Sequence, residues 1–409
     1  MIPLGEKIIE TKKCRLSGKE FFVTDKDLEF YDKISPVFAG KKFAIPSPTL
    51  CPEERMKRRS VYRNEISLHR RSCDKNSIPI VSLYTPEYPG PVYCLKAWWD
   101  MSWSALDYWM QLDFDVPFFH QILHLRNRVP RPNIVNDNGI ASENCEHCHD
   151  CWYSKNCYLV ICAWHMRNCY YCNRTLSDMQ DCLDCLGPFL EANHCYECIV
   201  GSKLAHCYYC QNCHNCSYCH FCVNLIGCQN CYGCTNLRNK EYYIFDKPCT
   251  PEKYHEMIAK LPVEKMKINF QKEVVNKMIV KENCNNNCEN CVGEYLFNSS
   301  NSFMCFEAYK MQDCKYYQIG DTGKNCMDVN ISGMCQWWYE NLTCDHGEMV
   351  KFSLYSPKCN NVVYSELCYW THDLFGCISL HSHEHHCILN RPYSVSEYEQ
   401  LCWKIVDHM

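Results

Sequence analysis

The sequence lacks long apolar runs and a strong charge of either sign. No stretch is long and apolar enough to span a bilayer, and a net charge of −5 gives no overall attraction to nucleic acid or to an anionic membrane. The first residues, MIPLGEKIIETKK, contain neither an apolar core segment nor a small-residue cleavage site. We therefore expect a cytoplasmic protein without a membrane span or a secretory signal.

The motifs of common catalytic sites are also missing. The sequence contains no glycine-rich phosphate loop, no nucleophile elbow and no zincin motif. We therefore expect a non-catalytic protein. A metalloenzyme of unknown substrate stays open as an alternative, because Cys145, Cys148 and His149 offer three ligands that would leave a fourth zinc position free.

Cysteine, in contrast, is abundant, with 38 among 409 residues. In a reducing cytoplasm thiols stay reduced unless a metal binds them, so this density predicts several zinc ions per chain. Two other interpretations remain open. Disulfides would make the protein an extracellular, disulfide-stapled solenoid, and free thiols would pack as small apolar side chains.

A tandem repeat runs through residues 145 to 234. A cysteine recurs in steps of 12 or 13 residues, preceded by Asn, Asp, His or Tyr, and a second cysteine follows three positions later in every repeat except at Val160. Repeats this short bury a core only by stacking, and they lack the apolar period of a helix, so we predict a β-solenoid. The leading cysteines are Cys145, Cys157, Cys169, Cys182, Cys195, Cys207, Cys219 and Cys231.

The end of this first ladder recurs near the C-terminus. GCTNLRNKEYYIFDKPCTPEKY from 233 matches GCISLHSHEHHCILNRPYSVSEY from 376. Each copy leads into a predicted helix, the first with Thr250 as N-cap before Pro251 and the second with a capping box of Ser394 and Glu397. A second, looser ladder is spaced by multiples of three and comprises Cys305, Cys314, Cys326, Cys335, Cys344, Cys359, Cys368 and Cys377.

The fold prediction is therefore mainly β. Two solenoid-like cysteine ladders, each ending in a short helix, follow a small α+β, ribbon-like N-terminal domain. The predicted domains are 1–140, 141–283 and 284–409, with a helix and linker near 262–283.

The predicted metal sites follow from stacking. Two CxxC turns from stacked coils supply four thiolates, which is the ligand number of structural zinc. The pairs Cys169/Cys172 with Cys182/Cys185, and Cys195/Cys198 with Cys207/Cys210, are examples. The candidate thiol ligands are Cys145, Cys148, Cys151, Cys157, Cys169, Cys172, Cys182, Cys185, Cys195, Cys198, Cys207, Cys210, Cys213, Cys216, Cys219, Cys222, Cys228, Cys231 and Cys234.

Two further groups resemble metal ligands. Cys284, Cys288 and Cys291 form a C-x3-C-x2-C pattern that an iron–sulfur cluster would use, although zinc is the preferred expectation. In the string HSHEHHC, His381, His383 and His385 would lie on one face of a strand, where imidazoles bind zinc, nickel or copper.

Four strings carry a resemblance to a known family. CPEERMKRRSVYRNE, VYCLKAWWD, LDYWMQLDFDVPFFHQ and GCTNLRNKEYYIFDKP, within residues 14–255, resemble a functionally uncharacterised family of cysteine-rich, zinc-ribbon-like proteins of uncultured ultra-small bacteria. The resemblance implies paired zinc ribbons in the N-terminal part, each built from two CxxC knuckles.

This chain departs from that pattern at every second knuckle ligand. The first ligands are present as Cys14, Cys51, Cys73 and Cys94, whereas the second positions hold Ser17, Glu54, Asn76 and Ala97. We therefore expect no zinc in these ribbons. They are either held by packing or linked by disulfides such as Cys14–Cys51 and Cys73–Cys94.

A basic segment lies within the same region. Residues 55–71 carry basic side chains at near-helical spacing, which predicts a basic helix that either faces solvent or contacts the phosphates of a nucleic acid. The candidate phosphate contacts are Arg55, Lys57, Arg58, Arg59, Arg63, Arg70 and Arg71.

The function expected from these features is that of a metal-stapled, non-catalytic repeat scaffold that binds a partner, either a protein or a nucleic acid. Metal storage or thiol redox chemistry is the main alternative, since many thiolates in one chain can buffer zinc or copper.

Overall fold

The computed structural model describes the chain except residues 1, 63, 65–66, 101, 177–191, 194–198, 203, 325, 331–336, 345–346 and 383–384.

The backbone of the repeat turns a corner at every third residue. Asn156, Leu159 and Cys162 have left-handed φ angles of 55°, 51° and 54°, and the same period continues through the ladder. Asn and Asp tolerate this region better than most residues, which explains the polar residue before many leading cysteines.

Four such corners close one narrow coil, and the coils stack in parallel. Tyr208 pairs with His220, and Gln211 with Val223, each at the same position of the next coil. The N–H of Tyr208 donates to the carbonyl of Cys219 at 3.0 Å, so hydrogen bonds join adjacent coils. A β-solenoid of about 16 turns results between residues 149 and 388, which confirms the predicted fold class.

Corner and outer side chains form ladders of their own. The amide of Asn144 donates to Asn156 at 2.8 Å, and that of Asn156 donates to Asn168 at 3.0 Å. On the outer faces, the rings of Tyr209 and Phe221 stack with centroids 4.4 Å apart. These contacts add to the backbone bonds between coils, as in other stacked parallel strands.

The first solenoid is followed by helices that pack against it. Helices Pro251–Lys260 and Val263–Asn269 and a π-helical turn Phe270–Val275 follow, and the Thr250 cap is confirmed. The hydroxyl of Tyr254 donates to the carbonyl of Tyr218 at 3.1 Å. The strands are His149–Trp152, Ile161–Trp164, Asn173–Leu176, Ala192–Asn193, Ile199–Ser202, Leu204–Ala205, Gln211–His214, Gln229–Tyr232, Glu241–Ile244 and Lys247–Pro248.

The second solenoid ends in helix Val395–His408. The capping box of Ser394 and Glu397 is confirmed, and Tyr398, Cys402 and Ile405 are buried on the inner face of the helix. The strands are Val292–Phe297, Phe303–Gln312, Gln318–Lys324, Trp337–Tyr339, Leu342–Cys344, Met349–Lys351, Leu354–Ser356, Val362–Val363, Leu374–Phe375, Cys387–Ile388 and Arg391–Pro392.

The N-terminal region packs against the second solenoid. Buried ion pairs join them, with Lys315 2.7 Å from Asp27 and Arg131 2.6 Å from Glu366. The helices are Asp25–Ile34, Pro52–Ser60, Leu95–Trp98 and Phe118–Arg128, with a 3-10 turn Ala105–Tyr108. The strands are Ile8–Lys13, Glu20–Thr24, Val37–Phe38, Lys41–Lys42, His69–Ser72, Pro79–Ser82, Val92–Tyr93 and Arg131–Pro132.

The two solenoids contact each other in antiparallel order. An early coil of the first meets a late coil of the second, where Nε2 of His149 lies 3.0 Å from the Tyr355 hydroxyl. A later coil of the first meets the beginning of the second, where the rings of His214 and Phe297 are 5.8 Å apart. In the part of the chain that the structure describes, no helix is both long enough and apolar enough to cross a membrane.

Candidate metal centre

The lumen of the first solenoid is lined by thiols. In one coil all four inward positions are cysteines, and none of them is more than 2% exposed: Cys207, Cys210, Cys213 and Cys216. Each coil has only three residues per side, so its lumen admits small side chains and brings them close together. The core of this solenoid therefore consists of cysteines together with Val160, Met166, Leu204 and Leu225.

Stacking converts the CxxC repeat into a thiol ladder of two parallel columns. Within a coil, Cys207 contacts Cys210; between coils, Cys207 contacts Cys219 and Cys210 contacts Cys222, and Cys219 contacts Cys222 in turn. A square of four thiols results. A second square follows one coil later, so the thiol ladder comprises Cys207, Cys210, Cys219, Cys222, Cys231 and Cys234.

Acidity alternates along the thiol ladder. Neighbouring thiols that donate hydrogen bonds lower the pKa of Cys207 to about 4 and that of Cys231 to about 5. At Cys222 burial opposes this effect, but the donated bonds outweigh it and the pKa is also lowered. The donors Cys210 and Cys219 have raised pKa values. Hydrogen bonds from neighbouring thiols thus stabilise thiolates within the ladder, and the thiolate is the form that binds metal.

The lumen thiols also contact backbone carbonyls. The Sγ of Cys207 lies 3.5 Å from the carbonyl oxygen of Ala205, and that of Cys234 lies 3.3 Å from the carbonyl of Tyr232. The same contact, from a cysteine sulfur to the carbonyl oxygen two residues earlier, recurs along the thiol ladder. A protonated thiol is therefore satisfied as a weak donor here, which is the geometry expected of packed cysteines without metal.

A second thiol group lies at the start of the first solenoid. Cys145 contacts Cys148, Cys151 and Cys157, and the last two also contact each other. All four are buried. Contacts from neighbouring thiols lower the pKa of Cys157 far below its usual range. Cys157 also contacts Cys169, so this group continues into the next coil.

The remaining sequence-predicted thiols are buried in the same core or lie outside the described residues. Cys182, Cys185, Cys195 and Cys198, and with them the two example pairings, lie outside the described residues. The described contacts join Cys207/Cys210 with Cys219/Cys222. Cys213 contacts Cys210 and Cys216, and Cys216 contacts Cys219. Cys172 and Cys228 are buried in the same core.

The three cysteines of the C-x3-C-x2-C segment lie in two different environments. The thiol of Cys284 accepts a hydrogen bond from the Asn212 side chain at 3.3 Å. Cys288 and Cys291 contact each other and pack against the core of the second solenoid. All three are partly exposed.

The proposed face of three histidines is wrong. His381 lies among Trp98, Trp99 and Trp103, with ring centroids 4.5, 5.4 and 4.9 Å away, and burial lowers its pKa to about 4. His385 instead contacts His372, with centroids 4.0 Å apart. Neither His381 nor His385 lies in a strand, so the assumed alternation does not apply to these two. His383 lies outside the described residues.

Sequence reasoning missed two residues beside His385. His372 and Asp373 lie one coil earlier, and their ligand atoms and that of His385 are all within 4.8 Å of one another. The signal in the sequence was a His-Asp pair one coil length before the His385–His386 pair, which becomes visible only when the coil register is known.

The N-terminal cysteines form two similar pairs. Cys14 and Cys73 each follow the first strand of a hairpin, and Cys51 and Cys94 each precede a helix. Cys14 contacts Cys51, and the N–H of Cys94 lies 3.2 Å from the Cys73 sulfur.

All four are free thiols in the structure. Three residues after the first cysteine of each pair, a polar side chain lies near the second sulfur: Ser17 lies 3.8 Å from the Cys51 sulfur, and Asn76 lies 3.7 Å from that of Cys94. Glu54 is paired with Lys57 at 2.7 Å. The surroundings of the two pairs thus hold neutral or already paired groups at these positions.

The predicted basic helix is shorter than expected. It spans Pro52–Ser60, and Arg70 and Arg71 belong to strand His69–Ser72. Arg55 and Arg59 are buried against Asp328, with Arg55 at 2.7 Å, so these two are not available to phosphates.

The other described basic residues are either ion-paired or exposed to solvent. Arg58 pairs with Glu340, Arg71 pairs with Asp74 at 2.9 Å, and Lys57 and Arg70 are exposed. Arg63 lies outside the described residues. Arg55, Arg58 and Arg59 thus attach this helix to the second solenoid through ion pairs.

Comparison of the chain with family models, with curated proteins and with solved structures finds no significant match.

Proposed function

We propose that the first solenoid binds soft metal ions, zinc foremost, in its thiol-lined lumen, and that the protein is a non-catalytic, metal-stapled repeat scaffold. The observation that carries this proposal is the square of mutually contacting thiols formed by Cys207, Cys210, Cys219 and Cys222. The group at Cys145 supports it with a second set of four thiols.

The chemistry of this donor set fits zinc. Zinc–thiolate bonds are about 2.3 Å long, which places tetrahedral sulfur ligands about 3.8 Å apart, a separation compatible with thiols in direct contact. The site is buried and offers sulfur donors, which select zinc, copper(I) or iron–sulfur clusters over hard ions. Zinc is preferred because it needs no inorganic sulfide and suits a reducing cytoplasm, the location that we propose with it.

The scaffold role rests on the outer surface. Stacked rings line the first solenoid, including Tyr153 with His165 and His206 with Tyr218. Repeated, rigid outer faces are the surfaces with which repeat proteins bind partners. Aromatic rings of this kind suit a protein partner. A nucleic-acid partner is less well supported, because, of the predicted phosphate contacts that the structure describes, only Lys57 and Arg70 are exposed and not used to attach the basic helix to the second solenoid.

Metal storage is the second candidate, and one observation favours it. Cys219 and Cys222 belong to both squares of the thiol ladder, so the six thiols do not divide into separate sites of four. Shared thiolates can bridge two ions, and occupancy would then vary with metal supply. Loosely held metal in excess of one ion per four thiols would distinguish storage from structural zinc.

The test combines elemental analysis of the purified full chain with thiol titration under denaturing conditions and a chelator. We expect several zinc ions per chain and nearly all 38 thiols reactive. Metal-free protein whose thiols all titrate would contradict the proposal in favour of packed thiols. Few reactive thiols would favour the disulfide-stapled extracellular alternative.

A matched pair of double variants locates the metal. The double variant Cys219→Ser/Cys222→Ser removes the shared rung of the thiol ladder and should lose at least one zinc per chain. The control Cys305→Ser/Cys314→Ser changes two equally buried thiols of the second solenoid and should keep the full zinc content. Equal zinc content in both variants would contradict binding in the ladder.

A further inference from the structure

Four polar side chains meet on the surface of the second solenoid near its last coil. His372 and Asp373 lie on one coil, and His385 and His386 lie on the next, where the chain pairs in parallel with the coil before it. Stacking therefore places one pair of neighbours over the other. None of these residues belongs to the thiol-lined lumen described above.

The ligand atoms of His372, Asp373 and His385 lie within 4.8 Å of one another, close to the separations in a metal site. Oδ2 of Asp373 lies 3.2 Å from Nδ1 of His372 and 3.7 Å from Nε2 of His386. The rings of His372 and His385 are 4.0 Å apart between centroids. Around a tetrahedral ion with bonds of about 2.1 Å, ligand atoms are separated by roughly 3.4 Å, so small side-chain rotations suffice to enclose an ion.

Neighbouring residues hold this group in place. The side-chain amide of Asn361, one coil earlier, donates to Oδ1 of Asp373 at 2.9 Å, which leaves Oδ2 directed at the imidazoles. The ring of His386 packs edge-on against Tyr398 of the C-terminal helix at 5.4 Å. A hydrogen bond to the far oxygen of a ligating carboxylate is the usual support of metal ligands.

We propose that His372, Asp373 and His385 form a second type of metal site, which takes a divalent borderline ion such as Zn²⁺, Ni²⁺ or Cu²⁺. Two imidazoles and one carboxylate favour these ions, and this donor set differs from the all-thiolate set of the lumen. His372 and Asp373 are half-buried and His385 is exposed. The ion is therefore held at the surface with a position open to solvent or to His386.

Cobalt(II) titration of the metal-depleted full chain tests this site. Cobalt bound by thiolates gives strong sulfur-to-metal charge-transfer absorption, and cobalt bound by imidazole and carboxylate does not. We expect one cobalt equivalent per chain that adds no thiolate absorption. His385→Ala and Asp373→Asn should each abolish that equivalent, and Asn361→Ala should weaken it about 10-fold or more.

The control is His120→Ala, which removes an exposed histidine on helix Phe118–Arg128 and should leave the titration unchanged. Variants that bind the same number of cobalt ions with the same affinity as this control would overturn the proposal. If His385→Ala impaired folding, as judged by its thermal melt, the isosteric Asp373→Asn would decide. Failure of the thiol-ladder proposal is separately visible, because thiolate absorption would then be missing from every variant.

Discussion

The two solenoids share one coil geometry but fill it differently. The first has a lumen of cysteines, whereas the core of the second mixes cysteines with large apolar residues such as Trp338, Leu374 and Phe375, all fully buried. Burying a leucine or phenylalanine side chain contributes about 1.5–3 kcal/mol, and a cysteine buries much less apolar surface.

The comparison teaches that coil stacking alone does not decide what stabilises a solenoid. Both solenoids have a covering layer: the helices after residue 250 pack against the outside of the first, and the N-terminal region and helix Val395–His408 pack against the second. The first has fewer large apolar contacts in its lumen and, on our proposal, relies on metal bound by its thiols.

The largest expected difference is the response to a metal chelator. On the zinc proposal, removal of the ions from residues 204–234 costs about 10 kcal/mol of folding free energy per site, while the strands Met349–Lys351 and Leu354–Ser356, which belong to neither proposed metal site, lose little. Hydrogen exchange measured by mass spectrometry with and without chelator should therefore show loss of protection in the first solenoid but not in these two strands. Equal protection of both solenoids after chelation would contradict a metal-dependent first solenoid.

The second expected effect concerns the attachment of the N-terminal region. Glu366 lies between Arg131 and Arg126, at 2.6 and 3.0 Å. Glu366→Gln should lower the free energy of unfolding by about 3–5 kcal/mol, because Arg131 would stay buried without a charge partner. Urea denaturation measures the loss. The matched control is Glu53→Gln, which breaks an exposed pair with Lys19 and should cost under about 1 kcal/mol.

The same pair predicts an acid sensitivity of the second solenoid. Burial alone would raise the pKa of Glu366, but Arg131 and Arg126 outweigh it and hold the pKa at about 2. A carboxyl whose pKa is lower in the folded state stabilises the protein above its unfolded pKa, near 4.3. This contribution should be lost as pH falls from there through about 2, and Glu366→Gln should remove it from the pH profile of stability.

A smaller pH effect is expected from His381. Burial among tryptophans lowers its pKa to about 4, so below pH 6.5 the unfolded chain takes up a proton before the folded protein does. Stability should therefore decrease between pH 6.5 and 4 by roughly 2–3 kcal/mol. His381→Phe should reduce this slope in thermal melts, and His165→Phe, at an exposed position, should not.

The smallest expected effect tests the corner ladder. Asn156 has a φ of 55° and bonds to Asn144 and Asn168. Asn156→Ala should cost about 1–2 kcal/mol, because a Cβ-bearing residue without a polar side chain is disfavoured there. Asn156→Gly should cost less, since glycine accepts this conformation. Equal losses for alanine and glycine would show that the amide ladder, which both variants lack, dominates over the backbone conformation.

Local patterns were readable before the structure was known. The helix caps at Thr250 and Ser394 depend on neighbours along the chain, and both are confirmed. The burial of the basic helix was not predictable, because Arg55 and Arg59 pair with Asp328, a carboxylate far away in the chain. These two arginines are therefore not surface charges. Which histidines meet was equally hidden.

The sequence by itself determined the coil, since sides of three residues with left-handed corners recur along the repeat and do not depend on what packs outside it. The period of the cysteines also determined which side chains face inward. Only the tertiary structure decided which residues from different coils come together. The cysteine spacing predicted that CxxC turns of stacked coils meet, but the pairs in contact, and the pairing of His372 with His385, depend on the register of stacking. The burial of His381 against Trp98 depends on docking between regions far apart in the chain, and local spacing carries no information about such a contact.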